Sequence, residues 1–398
     1  VMSANKGPLS GIRVLDLGRH ISCPTCGMTL GDLGAEVIKV EKRIWGDDTR
    51  HSGEEYKGVN LYYPTENRNK KSVTINFRSD EGKKLLRELI EKSDVLIENF
   101  RPGTMEKMGL DWETVHKLNP RLIMASINGY GKGSPYYMRP GFDSIMAASS
   151  GIMDINRSEE GPRITGGIWF IDIMAGMWAT IAILAALHRR EASGKGQYID
   201  TAMYDSCLFA LNTFIPFFDQ SGIITRNSTK NAYDCPAGQF NCKDGKVICL
   251  AGQDSLFERL LTITDDPILH DPRYKDHAER LKPENYDIIN GAVDRLMQTK
   301  TGAEWDEIFD RIGIPGGKIK DLSDVMASPA TYARNATIKL NVSGLGPVTF
   351  PGTPLCFSDD ELGFEPAPEL GQHNKEIYCD LLGHSETELA QLLENQDI

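Results

Sequence analysis

Gly11-Ile-Arg-Val-Leu-Asp-Leu17 is the stretch from which the fold can be worked out. Its apolar residues predict a short strand. A Ser-Cys-Pro turn, a small helix over residues 25–33 and a second strand, Glu36-Val-Ile-Lys-Val40, follow it. This order is typical of a parallel sheet, because two parallel strands need a crossover connection between them. The opening of the chain therefore predicts an α/β protein.

Strands and helices continue to alternate further along the chain. Ser79-Asp-Glu has the residue types of a helix N-terminus and precedes a predicted helix over residues 82–93. Further strands are predicted over residues 71–77, 94–98, 121–126 and 198–203. The alternation predicts a doubly wound, mostly parallel, Rossmann-like sheet, in which a ligand lies beyond the carboxyl ends of the strands.

The character of the sequence changes near residue 222. A Gly-, Asn- and Asp-rich stretch begins there, followed by a predicted hairpin around residues 243–250 and by charged amphipathic helices. We therefore predict three parts: a large α/β domain over residues 1–221, a smaller α+β domain over residues 222–330, and a C-terminal segment over residues 331–398 that returns to the large domain.

The chain has 398 residues, and its 44 basic and 56 acidic side chains give a net charge of −12. This charge argues against a general nucleic-acid-binding or acidic-membrane surface. The opening residues lack the pattern of a signal peptide, so we expect a cytoplasmic protein whose eight cysteines are reduced. Cys23-Pro-Thr-Cys26 has a motif spacing, but without a second pair it indicates a zinc or redox site only weakly.

The loops of the predicted sheet lack the familiar phosphate-binding motifs. After Gly129-x-Gly131 the dinucleotide motif needs a glycine at position 134, where this chain has Ser134. The sequence also contains no P-loop, no His-Glu-x-x-His zinc motif and no Gly-x-Ser-x-Gly nucleophile elbow. An anionic ligand would need a local basic patch, and one candidate patch, which could equally be a solvated loop, contains Arg68, Lys70, Lys71 and Arg78.

Asp172 is a lone carboxylate within the apolar and small residues 166–187. The residues after it predict a buried core helix, so Asp172 is placed at the helix start, and a membrane span is disfavoured because the carboxylate would lie within it. We expect the helix dipole and its free N–H groups to hold this carboxylate. A structural helix cap and a prepared nucleophile are both compatible with that position.

Several motifs, in the same order, resemble those of the class III coenzyme A transferases, the group of formyl-CoA:oxalate and carnitine CoA-transferases. The resemblance covers almost the whole chain and includes Gly7-Pro-Leu-Ser-Gly-Ile-Arg-Val-Leu-Asp-Leu17, Gly34-Ala-Glu-Val-Ile-Lys-Val-Glu41, Asn69-Lys-Lys-Ser72, Glu98-Asn-Phe-Arg-Pro-Gly103 and Ala186-Leu-His-Arg-Arg-Glu-Ala-Ser-Gly-Lys-Gly-Gln197. It implies an intertwined homodimer that uses acyl-CoA and a small carboxylic acid as substrates, with no metal and no tightly bound cofactor.

The resemblance also implies roles for individual residues. Asp172 matches the family nucleophile, which forms acyl-aspartyl anhydrides and an aspartyl-CoA thioester while CoA passes from an acyl-CoA to a free acid. The positions that match CoA contacts are His20, Ile21, Ser22, Lys42, Ile75, Phe77, Arg78, Asn99, Phe100, Arg101, Lys107, Phe142 and Asp143. Family members that use Gln in the first loop would carry it at the position of Ile21.

Two other functions are compatible with the same fold. The related α-methylacyl-CoA racemases use a His-Asp pair, but the racemase His position is Phe142 here, and a phenyl ring cannot transfer protons. A non-catalytic acyl-CoA-binding protein is the second alternative, against which the presence of Asp172 argues. The identity of the exchanged acids is left open by the sequence.

Overall fold

A computed structural model describes residues 7–157, 161–163, 166–226 and 229–398. The chain divides into two compact units. Unit 1 comprises Val1–Ser150, Gly166–Asn212 and Tyr332–Ile398, and unit 2 comprises Gly151–Thr165 and Thr213–Thr331. This division differs from the predicted boundaries in two ways: the change of unit comes after Asn212 rather than after residue 221, and Gly151–Thr165 groups with the later segment.

Unit 1 is built on a six-stranded sheet. Its strands are β1 Arg13–Asp16, β2 Glu36–Lys42, β3 Lys70–Ile75, β4 Val95–Glu98, β5 Ile123–Asn128 and β6 Tyr198–Ala202. They lie in the order β3-β2-β1-β4-β5-β6, and every neighbouring pair is parallel. The predicted doubly wound parallel sheet is confirmed, and its strand order reverses between β1 and β4, where such sheets bind ligands.

Helices connect and cover the strands of unit 1. They are α1 Ser22–Asp32, α2 Tyr62–Glu66, α3 Asp80–Glu91, α4 Thr104–Lys107, α5 Trp112–Leu118, α6 Asp143–Ser150, α7 Phe170–Ser193 and α8 Met203–Ala210. A one-turn 3₁₀ helix, Asp48–Arg50, and a short hairpin, Glu55–Tyr56 with Val59–Asn60, lie between β2 and α2.

The sequence of α3 illustrates why these elements form where they do. Ser79 caps the helix, because its hydroxyl accepts a hydrogen bond of 3.0 Å from the Gly82 N–H. Leu86 and Leu89 follow at helical spacing and are buried against the sheet core, while the charged residues of α3 face solvent. Cap and apolar stripe together fix both the start of α3 and the face that it buries.

The long helix α7 begins at Phe170, two residues before the predicted start, and ends at Ser193, after which Gly194 adopts the left-handed conformation. By length and composition alone it could cross a membrane. One face, which includes Ala175 and Ala179, is buried within unit 1, whereas Ile181 on the opposite side is 54% exposed. The predicted core helix is thus buried on one face, and its other face is apolar and exposed.

Unit 2 has its own core, which includes Phe240, Phe257, Trp305 and Phe309. Its antiparallel strands are Ala237–Cys242, Gly245–Leu250 and Gly316–Lys318. Its helices, with one 3₁₀ helix at Pro272–Lys275, are Ile152–Ile155, Phe214–Ser221, Asp254–Leu261, His277–Arg280, Pro283–Met297, Gly302–Ile312, Leu322–Ala327 and Pro329–Tyr332, whose last residue belongs to unit 1.

The C-terminal segment belongs to unit 1. It contains a 3₁₀ turn at Ala333–Asn335, the hairpin β7 Thr337–Val342 and β8 Gly346–Pro351, a π-helical turn at Glu376–Leu381 and the final helix α9 Glu386–Glu394. Ser385 and Glu388 form a capping box at the start of α9. Leu392 and Ile398 are buried in the same core as the sheet, which ties the end of the chain to unit 1.

Candidate active site

A cavity of about 520 Å³ opens at the carboxyl ends of the parallel strands, and all the residues that line it belong to unit 1. Its wall contains Gly18 after β1, Gly46 after β2, Asn99 after β4 and Gly129 after β5. Because β1 and β4 are the neighbours at which the strand order reverses, the cavity lies at the ligand-binding crevice of the fold. Asp172 also lines it.

Most of the residues singled out in the sequence meet at this cavity. Those in its wall are His20, Ser22, Lys42, Phe77, Asn99, Phe100, Arg101, Phe142 and Asp172. The others lie outside the wall for three reasons. Ile21 and Ile75 point into the protein core, Arg78 and Lys107 are exposed elsewhere, and Asp143 is buried against a helix end.

Asp172 occupies the first turn of α7. Burial and, to a smaller extent, the nearby carboxylates of Asp143 and Glu66 raise the pKa of its carboxyl to about 7. The Ser22 hydroxyl acts in the opposite direction and lowers this pKa. The carboxyl group is therefore close to half ionised near neutral pH, which is unusual for an aspartate and typical of functional sites.

Asp143 binds the backbone N–H groups at the start of α7. Its carboxylate accepts hydrogen bonds of 2.9 Å from Ile171 N–H and 3.2 Å from Asp172 N–H. The expectation that these N–H groups hold the carboxylate of Asp172 is therefore wrong. The helix begins two residues earlier than predicted, so Asp172 is inside the first turn and its own N–H is available to another acid.

The amide of Asn99 holds the loop that follows β1. Its oxygen accepts a hydrogen bond of 2.9 Å from the Arg19 N–H. Its NH₂ group donates to the Arg19 carbonyl at 2.8 Å and to the Ser22 hydroxyl oxygen at 3.3 Å. His20, which follows Arg19 in this loop, has a φ of 63°, a left-handed conformation that is unfavourable for residues other than glycine. Asn99 therefore stabilises a strained loop at the cavity wall.

Helices α1 and α7 touch at Gly176, one turn after Asp172. A Cβ atom on Gly176 would lie 2.4 Å from the Ser22 carbonyl oxygen, which is far inside van der Waals contact. Only glycine allows the two backbones to approach this closely. The contact brings the start of α1, and with it Ser22, next to the carboxylate of Asp172.

The cations of the cavity wall differ in whether a carboxylate already pairs with them, and Arg19 and Lys42 pair with Asp48. Lys39 is fully buried and donates to the Gly18 carbonyl at 2.8 Å and pairs with Asp47 at 2.9 Å, so it links the loops after β1 and β2. Arg101 and Arg139 also line the cavity, and within the described ranges neither has a carboxylate partner. Lys39 and Arg139 were not singled out in the sequence.

Cys23 and Cys26 are free thiols with no exposed surface. Burial raises the pKa of Cys23 well above its usual range and that of Cys26 to about 12, so both thiols stay protonated at neutral pH. Among the described residues no group of three or more His, Cys, Asp or Glu side chains is arranged to hold a metal ion.

The sequence matches the family model described as CoA-transferase family III over residues 9–374. The chain belongs to this family. It is therefore a class III CoA-transferase, an enzyme that moves CoA between acyl-CoA thioesters and carboxylic acids.

Named relatives of this family III enzyme cover nearly the whole chain. A succinyl-CoA–D-citramalate CoA-transferase from Chloroflexus aurantiacus is 37% identical over 97% of this chain and 96% of its own length. The beta subunit of a succinyl-CoA–L-malate CoA-transferase from the same organism is 36% identical over 97% and 96%. The crystal structure of a CAIB/BAIF family protein from Brucella suis has a TM-score of 0.84 at 33% identity and covers 94% of this chain and 99% of its own.

Proposed function

We propose that this CoA-transferase moves CoA from an acyl-CoA to a dicarboxylic acid, with Asp172 as the covalent nucleophile. The observation that carries the proposal is the position of Asp172: a largely buried carboxylate, with a pKa raised to about 7, in the wall of a cavity at the carboxyl ends of the sheet. The test is CoA exchange between acyl-CoA donors and a panel of free acids, followed by mass spectrometry.

The first half-reaction loads CoA onto the enzyme. The ionised carboxylate of Asp172 attacks the carbonyl carbon of the acyl-CoA, a C–O bond forms, the C–S bond breaks, and the CoA thiolate leaves behind a mixed anhydride. The thiolate then attacks the aspartyl carbon of the anhydride. The donor acid leaves as its carboxylate, and Asp172 now carries CoA as a thioester.

The second half-reaction repeats these steps in reverse with a new acid. The incoming carboxylate attacks the aspartyl thioester and displaces the CoA thiolate, giving a second anhydride. Attack of the thiolate on the acceptor carbonyl carbon releases the new acyl-CoA and restores the carboxylate of Asp172. Keeping the thiolate beside the anhydride favours this return over hydrolysis, because the bound thiolate has a high effective concentration.

The remaining wall residues fit the parts of CoA. Lys42, the last residue of β2, and Arg101, in the loop after β4, are cations in the cavity wall that are suited to pair with phosphates. Phe77 and Phe100 meet edge to face with ring centroids 6.3 Å apart, which leaves an aromatic wall suited to the adenine ring. We propose these four side chains as CoA contacts, with His20 and Asn99 shaping the adjacent loop.

Two observations support a dicarboxylic acid as the acceptor. The Chloroflexus relatives are named for succinyl-CoA with citramalate or malate, all of which carry a second carboxylate. Arg139 lines the cavity of this chain, and its guanidinium lies 4.1 Å from the centre of the Tyr136 ring. A guanidinium held over an aromatic ring is suited to bind a distal carboxylate with two parallel hydrogen bonds.

We expect Arg139→Gln to remove the preference for a dicarboxylic acid. In a competition of succinate and butyrate for the CoA of one donor, the ratio of succinyl-CoA to butyryl-CoA should fall about tenfold or more, the usual effect of losing a charge-assisted hydrogen bond. Arg101→Gln is the matched control. It should raise the KM for the donor acyl-CoA and leave the product ratio unchanged. If Arg139→Gln instead weakens acyl-CoA binding and leaves the ratio of succinyl-CoA to butyryl-CoA unchanged, the assignment of Arg139 is refuted.

We also propose that the enzyme is a homodimer, as its family resemblance implies. Exposed apolar side chains on α7 and α8 support this, since Ile181 is 54% and Phe209 is 64% exposed. Sedimentation equilibrium should give a mass twice that of the 44.2 kDa chain, independent of protein concentration in the micromolar range. A mass of one chain under these conditions would contradict the dimer.

A further inference from the structure

We infer that the carboxylate of Asp48 holds the place of a CoA phosphate until CoA binds, and that Arg19 and Lys42 then exchange the carboxylate for the phosphate. The inference rests on the proposed function, in which Lys42 is a contact to a CoA phosphate. It adds Arg19 as a second contact to that phosphate, and it makes Asp48 an internal competitor of the ligand.

The carboxylate of Asp48 contacts three basic side chains of the cavity wall. Asp48 is the first residue of the one-turn 3₁₀ helix after β2. It forms an ion pair with the Arg19 guanidinium, and its oxygens lie 3.7 Å from the Lys42 ammonium and 3.7 Å from the His20 Nε2 atom. Burial lowers the pKa of His20, so this imidazole is uncharged at neutral pH and the carboxylate faces two cations.

Arg19 and Lys42 carry two positive charges and share one negative charge. Burial, together with the nearby guanidinium of Arg19, lowers the pKa of Lys42, so the two cations repel each other. Lys39, on the same strand as Lys42, is already paired with Asp47 at 2.9 Å. A phosphate monoester or a pyrophosphate brings about two negative charges and several acceptor oxygens. It therefore neutralises the two cations more fully than one carboxylate does.

The ion pair with Asp48 leaves the guanidinium group of Arg19 incompletely satisfied. The Nε atom of Arg19 is buried and has no hydrogen-bond partner within the residues that the structure describes. A buried donor without an acceptor is costly. The Arg19 side chain lines the cavity and is 34% exposed, so a phosphate bound in the cavity lies within reach of its donors.

The short segment that carries Asp48 is held in place by the side chains next to it. Asp47 caps the 3₁₀ helix, because its carboxylate accepts a hydrogen bond of 3.0 Å from the Thr49 N–H. Arg50 forms two hydrogen bonds of 2.8 Å with the carboxylate of Glu41. The carboxylate of Asp48 is therefore presented to the cations from a fixed support, and its replacement by an amide leaves these contacts intact.

Isothermal titration calorimetry of the full-length protein tests the exchange, with CoA and with pantetheine, which has the same thiol arm and no phosphate. Asp48→Asn should lower the Kd for CoA about threefold to fivefold, the effect of one partly exposed ion pair, and leave the Kd for pantetheine unchanged. Arg19→Gln should raise the Kd for CoA about tenfold, because a charge-assisted hydrogen bond to the phosphate is lost.

Asp359→Asn is the matched control. Asp359 is an exposed acid of the C-terminal segment and lies outside the cavity wall. Its replacement changes the net charge of the protein by the same amount as Asp48→Asn, and both Kd values should stay unchanged, because solvent and salt screen distant charges. Asp48→Ser also removes the carboxylate and carries the same prediction if Asp48→Asn does not fold.

Four results would overturn the inference. They are a Kd for CoA that is unchanged or higher in Asp48→Asn, an equal fall in the Kd for pantetheine, an equal fall in Asp359→Asn, and an unchanged Kd for CoA in Arg19→Gln. The proposed function is judged separately, by CoA exchange and by the adduct on Asp172 in the wild-type enzyme. Exchange in the wild type without tighter CoA binding in Asp48→Asn would remove the role of Asp48 and leave the proposed function in place.

Discussion

Asp172→Ala is expected to abolish CoA exchange, with a fall of at least about a thousandfold in kcat/KM, because the covalent route has no other nucleophile in its place. Binding of acyl-CoA should persist, since the cations and aromatic rings of the cavity are unchanged. In the wild-type enzyme, hydroxylamine added during turnover should trap an acylated Asp172 as its hydroxamate, and peptide mass spectrometry should locate it.

The matched control is Asp205→Asn. Asp205 lies on the neighbouring helix α8 and its pKa is also raised, chiefly by burial, yet it does not line the cavity. Its replacement should leave exchange within about twofold of wild type. Deuterium uptake at the acyl α-carbon without exchange would instead support a racemase, and tight binding of acyl-CoA with neither reaction would support a non-catalytic binding protein.

Lys70→Met is expected to lower the free energy of unfolding by about 3–5 kcal/mol, the usual cost of breaking a fully buried ion pair. The ammonium of Lys70 has no exposed surface and lies 2.8 Å from a carboxylate oxygen of Asp16. It also donates to the Pro24 carbonyl at 2.9 Å and to Asn67 at 3.0 Å. Methionine fills a similar volume but leaves a buried negative charge on Asp16 without its counter-ion.

The next residue supplies the control. Lys71 pairs with Glu36 at 2.7 Å but is partly exposed, so Lys71→Met should cost less than about 1 kcal/mol. Urea unfolding followed by circular dichroism, at one protein concentration, measures both variants. If Lys70→Met and Lys71→Met lower the free energy of unfolding equally, the buried ion pair contributes no more to stability than a surface pair.

The sheet could be predicted because each strand carries its signal locally. Strands such as Val95–Glu98 and Ile123–Asn128 are wholly buried, and most of their residues are apolar. Ser79 marks a helix start by its own hydrogen bond. Asp172 could be singled out because a lone carboxylate in an apolar stretch is conspicuous, while its role as nucleophile is implied by the family resemblance and stays a prediction. In these cases the physical cause lies within a few residues of the feature that it produces.

Other parts of the site depend on contacts between distant segments. Lys39 is a charged residue within a strand, yet it is fully buried, because its ammonium pairs with Asp47 and donates to the Gly18 carbonyl. Asp143 lies 28 residues before Ile171, whose N–H it binds at the start of α7. This hydrogen bond therefore depends on tertiary packing. Arg139 has no motif of its own and becomes a candidate only through the cavity that it lines.

The close contact at Gly176 separates what can vary in this enzyme from what cannot. The distance between Asp172 and Ser22 is fixed by two helix backbones that touch where a single methyl group would force them apart. Residues such as Arg139 and Met138 lie on a connecting loop and carry no such constraint. If Asp172 and Arg139 act as proposed, substitutions in that loop change which acid is accepted while the reacting group keeps its geometry, so one catalytic core can evolve towards many different acids.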